Sequence, residues 1–185
     1  MKAENGATLL NAFPNIFDSY VKKYRHPHPG HIFSVGDGWF MILWDIAYHL
    51  RELQSKIPFI EIHVLQVKEK FGGLRFYYQC EYKDESWGSK KFRQIDEWVR
   101  TQMCKNGFHK VYWALTKFRR NHIYKTVFEK VGSIISKGEA ESYKTCEICG
   151  EPGNRCSPAN WIATLCTKHE IERKKENEEW EKNLG

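Results

Sequence analysis

The chain has 185 residues, 41% of them hydrophobic, 15% aromatic and 28% charged, with a formal net charge of +6. That length suits one domain burying roughly 70% of the surface its unfolded form exposes, and the aromatic content excludes a disordered chain. The opening MKAENGATLLNAF lacks the apolar run of a secretion signal, and the longest apolar run, residues 39–44, is far short of the roughly 20 residues of a membrane helix. The expectation is a cytoplasmic protein that does not enter a membrane.

A short helix is expected around residues 17–24, followed by the loop Arg25-His26-Pro27-His28-Pro29-Gly30-His31, whose prolines forbid regular structure. Its three histidines are read as loop residues rather than as a metal site. In Gly36-Asp37-Gly38, Asp37 is expected to cap a helix running to about residue 55, with Phe40, Leu43, Ile46, Ala47, Leu50 and Leu53 facing the core. Pro58 disfavours helical geometry at Ile57 and ends that helix. Residues 59–67 then alternate, with Ile60, Ile62, Val64 and Gln66 on one side, and a second β-rich run covers 74–79 after Gly72-Gly73. Together they predict a β-hairpin.

Residues 81–89 read as a polar loop. Phe92, Ile95, Trp98, Val99 and Met103 mark an amphipathic helix stopped by Gly107, and further helix is expected over 108–137 with a break near Asn121. Cys80 and Cys104 read as ordinary hairpin and helix residues. Residues 170–183 interleave Glu and Lys at helical spacing and predict an exposed helix. The organisation expected is an α+β core over 1–140, with a helical insertion around 105–130, a zinc-binding segment over 141–170 and a charged tail over 171–185.

The strongest chemical signal is Cys146-Glu-Ile-Cys149-Gly150 followed, after sixteen residues, by Cys166-Thr-Lys-His169. Two half-sites of this spacing make a closed Cys3His site, which suits structural zinc better than a catalytic site with an open position. Three cysteines so placed argue for a reducing compartment rather than a disulfide framework. Cys156 lies between the half-sites and competes with them as a ligand.

Two basic regions stand out. In Gln66-Val-Lys-Glu-Lys-Phe-Gly-Gly-Leu-Arg-Phe-Tyr77, Lys68, Lys70 and Arg75 either hold phosphate oxygens or serve as solvent-facing charges of a stable hairpin. The glycines either form a positive-φ turn or admit the backbone of a ligand. From 105 to 130 there are seven lysines and arginines against one acid, Glu129. Tyr112, Trp113, Lys117, Arg119 and Arg120 there either bind a nucleotide or nucleic acid or form an ordinary amphipathic helix. Asp37, Glu61, His63, Glu69 and Lys70 are the residues from which a metal-dependent nuclease would be assembled, although no spacing fixes them in order.

The hairpin motif, with Gly36-Asp-Gly-Trp-Phe40 upstream and Cys146-Glu-Ile-Cys149-Gly150 and Trp161-Ile-Ala-Thr-Leu-Cys166 downstream, resembles a family of small uncharacterised phage and prophage proteins. The resemblance weakens between residues 90 and 134. It implies a bacterial host cytoplasm and an accessory role in handling host defence or nucleic acid, and it supplies no catalytic residues. The function expected is a non-enzymatic binding protein for an anionic partner, nucleic acid or a nucleotide-like defence signal. A protein-interaction inhibitor of a host defence enzyme, docking through Tyr112 and Trp113, and a nuclease are the alternatives. Homo-oligomerisation is left open.

Overall fold

The computed structural model describes residues 1–17, 33–57, 60–82, 97–99, 101–103, 105–106 and 108–184, with the side chains at 109, 112–113, 115–124, 159 and 184 outside the description. In chain order the elements are α1 (Ala3–Ala12), β1 (Phe33–Ser34), a 3-10 turn (Asp37–Trp39), α2 (Phe40–Lys56), β2 (Ile60–Lys70) and β3 (Gly73–Tyr82). They are followed by α3 (His109–Ser142), β4 (Asn154–Cys156), a second 3-10 turn (Pro158–Asn160), β5 (Ala163–Leu165) and α4 (Thr167–Leu184). The expected α+β class is observed: one sheet in the order β1-β2-β3 and a smaller one of β4 and β5. Because β1 joins β2 in parallel while β2 and β3 are antiparallel, the larger sheet is mixed.

α1, which no sequence pattern above predicts, carries Leu9 into the core, where Phe13, Ile16 and Phe17 are also buried. Of the helix expected at 17–24 only Phe17 is described, and the histidine-containing loop lies outside the described residues. Asp37 does not cap α2. Its Oδ1 instead accepts hydrogen bonds from the Lys2 amide and from Asn5 Nδ2, both at 2.8 Å, so it fastens the start of α1. α2 begins only after the 3-10 turn, and its buried stripe is Ile42, Leu43, Ile46, Ala47 and Leu50, with Phe40 and Leu53 half-buried. It ends at Lys56, as Pro58 requires.

The hairpin strands are longer than expected and meet at a tighter turn. Phe71 (φ 54°) and Gly72 (φ 74°) are both left-handed, which matches the right-handed twist of paired strands. The turn therefore sits at Phe71-Gly72 rather than Gly72-Gly73, and Glu69 Oε1 closes it by accepting the Gly72 amide at 2.6 Å. A register shift between Val64 and Gln66 moves Val67, not Gln66, into the core beside Ile60, Ile62 and Val64. A bulge reverses which side chains face inward, and alternation alone does not reveal it.

α3 is continuous over 34 residues, about 51 Å at 1.5 Å per residue, with no break at Asn121 and an end at Ser142. Val127, Val131, Ile135, Gly138 and Ser142 are buried at helical spacing. A Cβ on Gly138 would lie 2.4 Å from Ile46 Cδ1, so this glycine sets how closely α3 crosses α2. α3 also covers the outer edge of β3: the Leu74 amide donates to Ser142 Oγ (2.9 Å) and the Phe76 amide to Glu139 Oε1 (3.0 Å). Two side chains one helical turn apart thus take the place of a neighbouring strand, and an open edge is removed. Replacing both, Ser142→Ala with Glu139→Ala, leaves two amides without acceptors and should cost about 3 kcal/mol. A urea midpoint equal to that of the parent would show that water satisfies them instead.

Candidate metal centre

Cys146 and Cys149 sit on a turn closed by the Gly150 amide donating to the Cys146 carbonyl at 2.9 Å. Gly150 has φ +82°, a conformation open to glycine at little cost, and it turns the backbone so that both sulfurs face one point. Cys166 lies immediately before α4 and His169 is in its first turn, so the start of a helix presents the second pair. The thiol of Cys166 is lowered to about 7, chiefly because the His169 amide donates to its sulfur. A thiol that ionises near neutrality is prepared to ligate a cation.

The four ligand atoms all lie within 4.8 Å of one another. Cys149 Sγ and Cys166 Sγ are 3.8 Å apart; His169 Nδ1 lies 3.5 Å from Cys146 Sγ and 3.2 Å from Cys166 Sγ. A tetrahedral metal about 2.3 Å from sulfur and about 2.0 Å from nitrogen needs edges of about 3.8 Å (S–S) and about 3.5 Å (S–N). The cluster is therefore compatible with a metal site. His169 Nε2 points away from the sulfurs and lies 3.7 Å from Glu172 Oε2 on the next turn of α4, an arrangement that orients a ligating imidazole. Cys156 is not part of the cluster; its Sγ donates to the Ala163 carbonyl at 3.6 Å across the β4–β5 pair. Cys80 is buried in the main core, where burial pushes its thiol up to about 11, and Cys104 lies outside the described residues.

The two glycine motifs upstream turn out to be seats for this centre. A Cβ on Gly36 would lie 1.9 Å from the Glu147 carbonyl oxygen, and one on Gly38 would lie 2.1 Å from that of Cys146 and 2.5 Å from the Gly150 amide nitrogen. The Gly38 amide donates to the Glu147 carbonyl (2.9 Å), and Trp39 Nε1 donates to the Thr145 carbonyl (2.8 Å). From the other side the hairpin tip presses on β5, with Thr164 Oγ1 donating to the Gly72 carbonyl at 2.6 Å. A Cβ on Gly73 would strike the Tyr143 ring at 2.4 Å. The close approach that Gly73 permits is thus to the protein's own tyrosine.

The expected anion-binding residues fall into two groups. Lys68 and Arg75 are cross-strand partners on the outward face of the hairpin, and Lys70 follows two residues along on the same face. Lys68 Nζ lies 4.9 Å from the Tyr77 ring centroid and Lys70 Nζ 5.3 Å from that of Phe71. Arg75 donates to Tyr143 Oη and to the Leu74 carbonyl, each at 2.8 Å. The side chains of Tyr112, Trp113, Lys117, Arg119 and Arg120 lie outside the described residues, although α3 runs through all five positions. The nuclease set is not assembled. Glu61 and Glu69 are eight positions apart on β2, about 26 Å at 3.3 Å per residue, and Glu69 is engaged in the turn. His63 is buried beside Glu61 (3.3 Å) at the far end, and Asp37 serves α1.

These features define an α+β protein with a Cys3His cluster that docks on its main core. Among the described residues no helix is long and apolar enough to cross a membrane. Comparison with protein-family models, with curated proteins and with solved structures finds no match.

Proposed function

We propose that this chain is a non-enzymatic binding protein whose Cys146, Cys149, Cys166 and His169 hold one structural zinc and whose outward hairpin face recognises an anionic partner. Three thiolates and an imidazole at tetrahedral spacing suit zinc, and four protein ligands leave no position open for a reacting water. The observation that carries the anionic partner is the cation row Lys70, Lys68 and Arg75. Among the described residues no carboxylate forms an ion pair with any of the three. Beside them Phe71, 57% exposed, occupies a left-handed turn position that costs a bulky residue about 1–2 kcal/mol. An exposed aromatic kept at such a position fits contact with a ligand better than it fits stability. In the phage setting that the sequence resemblance implies, the partner is nucleic acid or a nucleotide-like signal of host defence.

The test is fluorescence anisotropy of a labelled single-stranded oligonucleotide between 50 and 200 mM salt. Lys68→Ala and Lys70→Ala should each weaken binding and reduce the slope of log K against log salt by about 0.7. Phe71→Asn should stabilise the hairpin while lowering affinity. Lys175→Ala, on the exposed side of α4, should change neither. Salt-independent or absent binding would remove this reading.

A second reading, docking on a host protein, is favoured by an open groove of about 620 Å³ lined by Phe40, Met41, Ile42 and Gly138 and rimmed by Asp45, Glu141 and Glu151. Met41 is 67% exposed there. Its acidic rim suits a basic segment with an apolar anchor, and Met41→Glu should abolish such capture without affecting oligonucleotide binding.

A further inference from the structure

Tyr143 stands where the two halves of the molecule meet. Its ring covers Gly73 of the hairpin, its hydroxyl accepts from Arg75, and three residues later the chain reaches Cys146. The Arg75 guanidinium carbon lies 5.8 Å from the ring centroid, and that of Arg155 lies 5.9 Å from the same centroid. Arg155 belongs to β4, beside Cys156, and is paired with Thr164, which itself holds the Gly72 carbonyl. One tyrosine therefore gathers a guanidinium from the main core and another from the metal-bearing unit. Lys68 extends the group across the strand from Arg75.

These charges are not neutralised internally. Among the described residues neither Arg75 nor Arg155 forms an ion pair with a carboxylate. Glu139 is the acid that acts on Arg75, and one of its oxygens already accepts the Phe76 amide. Keeping several cations about one ring costs repulsion that a polyanion would relieve, and planar guanidiniums match phosphate oxygens in pairs.

Resting on the anion-binding reading above, we infer that Arg155 and Tyr143 complete a composite site with Lys68 and Arg75 for a chain of successive phosphates, and that metal binding switches this site on. The physical link is short. Tyr143, at the end of α3, packs on Gly73 of the main core, whereas Arg155 is held in β4 by a unit whose buried apolar residues, among those described, are Cys146, Ala163 and Leu165. Without the metal this small core does not fix β4, and the Arg155 contact to phosphate is lost.

Zinc-loaded full-length protein is titrated with two probes, a labelled single-stranded oligonucleotide and short-chain inorganic polyphosphate. Arg155→Ala should weaken both roughly tenfold, the effect of losing one charge-assisted hydrogen-bonding group. Tyr143→Phe, which keeps the ring over Gly73, should weaken them less, and chelation should reproduce or exceed the Arg155→Ala loss. Arg155 is exposed, so its replacement leaves folding intact, which an unchanged melting curve checks. Binding that is abolished by Lys68→Ala but unmoved by Arg155→Ala and by chelation overturns the composite site and leaves the hairpin reading standing. Absence of binding to either probe overturns both. A preference for the oligonucleotide identifies a nucleic-acid source of the phosphates, and equal binding identifies a site that reads phosphate alone.

Discussion

Gly38→Ala is expected to destabilise the protein by about 3 kcal/mol, the upper part of the usual range for forcing a methyl group into a closed contact. For a chain of this size that lowers the melting temperature by roughly 6–12 °C. Gly38 has no positive φ, so the cost is not conformational; it is the space the new carbon would need. Its nearest neighbours would be the Cys146 carbonyl oxygen at 2.1 Å and the amide nitrogens of Gly150 at 2.5 Å and Cys149 at 2.8 Å. All three are backbone atoms of the turn that aims two metal ligands, and none can swing aside as a side-chain end would. The substitution must separate the start of α2 from that turn, breaking the bond from the Gly38 amide to Glu147 and straining the one from Trp39 to Thr145. Gly132→Ala is the matched control. Its Cβ would meet nothing nearer than Tyr78 Oη at 3.8 Å, and removing a glycine from the interior of α3 should stabilise by about 0.5–1 kcal/mol. Thermal unfolding of both variants decides the matter: a Gly38→Ala protein that melts within a degree of the parent would mean that the Cys146–Cys149 turn does not dock on the 3-10 turn before α2.

Removing the metal should have the larger effect. Cys149→Ser, or a chelator, is expected to lower the melting temperature by roughly 8–16 °C when the parent is measured at a metal concentration a thousand times its dissociation constant, where binding contributes about 4 kcal/mol. Cys149 is solvent-exposed, so its replacement tests ligation rather than packing. The loss should be local at first. The main cluster, from Leu9 and Trp39 through the hairpin to Ile135, is large enough to stand without it, whereas Cys146, Ala163 and Leu165 are too few to hold β4, β5 and the Cys146–Cys149 turn together. Circular dichroism should therefore show a first transition in the metal-free protein that is absent from the loaded one. Acid should have the same effect as the chelator, because protons compete with the metal for thiolates and imidazole. Metal analysis by mass spectrometry checks the proposed single zinc, and a parent protein with no bound metal and an unchanged melt after chelation would falsify the ligand set.

The elements that could be read in advance were those specified over short stretches of chain. The spacing of Cys146, Cys149, Cys166 and His169 was sufficient to pick out the cluster that the structure brings together. The Glu and Lys of the tail form pairs such as Lys174 with Glu170 along α4, four residues apart, and so its helical character was visible. The stop before Pro58 and the hairpin were legible for the same reason. α1 was missed because AENGATLLNA has a weak apolar pattern and a glycine in its middle; it is held by Asp37, more than 30 residues away. The bulge after Val64 was hidden because Gln66 fits a strict alternation as well as Val67 fits a shifted one.

What the order of residues settled, then, was the local chemistry: which four side chains have the donor types and spacing for a metal, that a hairpin follows Pro58, and that the helix after Gly38 carries an apolar face. What required the folded chain was the purpose of the glycines. Gly73 reads as a turn or ligand-approach residue, and Gly36 and Gly38 as mere neighbours of Asp37, yet each is small because a distant segment packs against it, as Cys146 does against Gly38. The pairing of Arg75 with Arg155 about Tyr143 is of the same kind. Helical and strand periodicity depend on neighbours a few residues apart, and metal-ligand spacing within a half-site does too, so they are written in the local sequence. Contacts between segments depend on the whole chain closing on itself, and a single sequence carries no local mark of which glycine will meet which carbonyl.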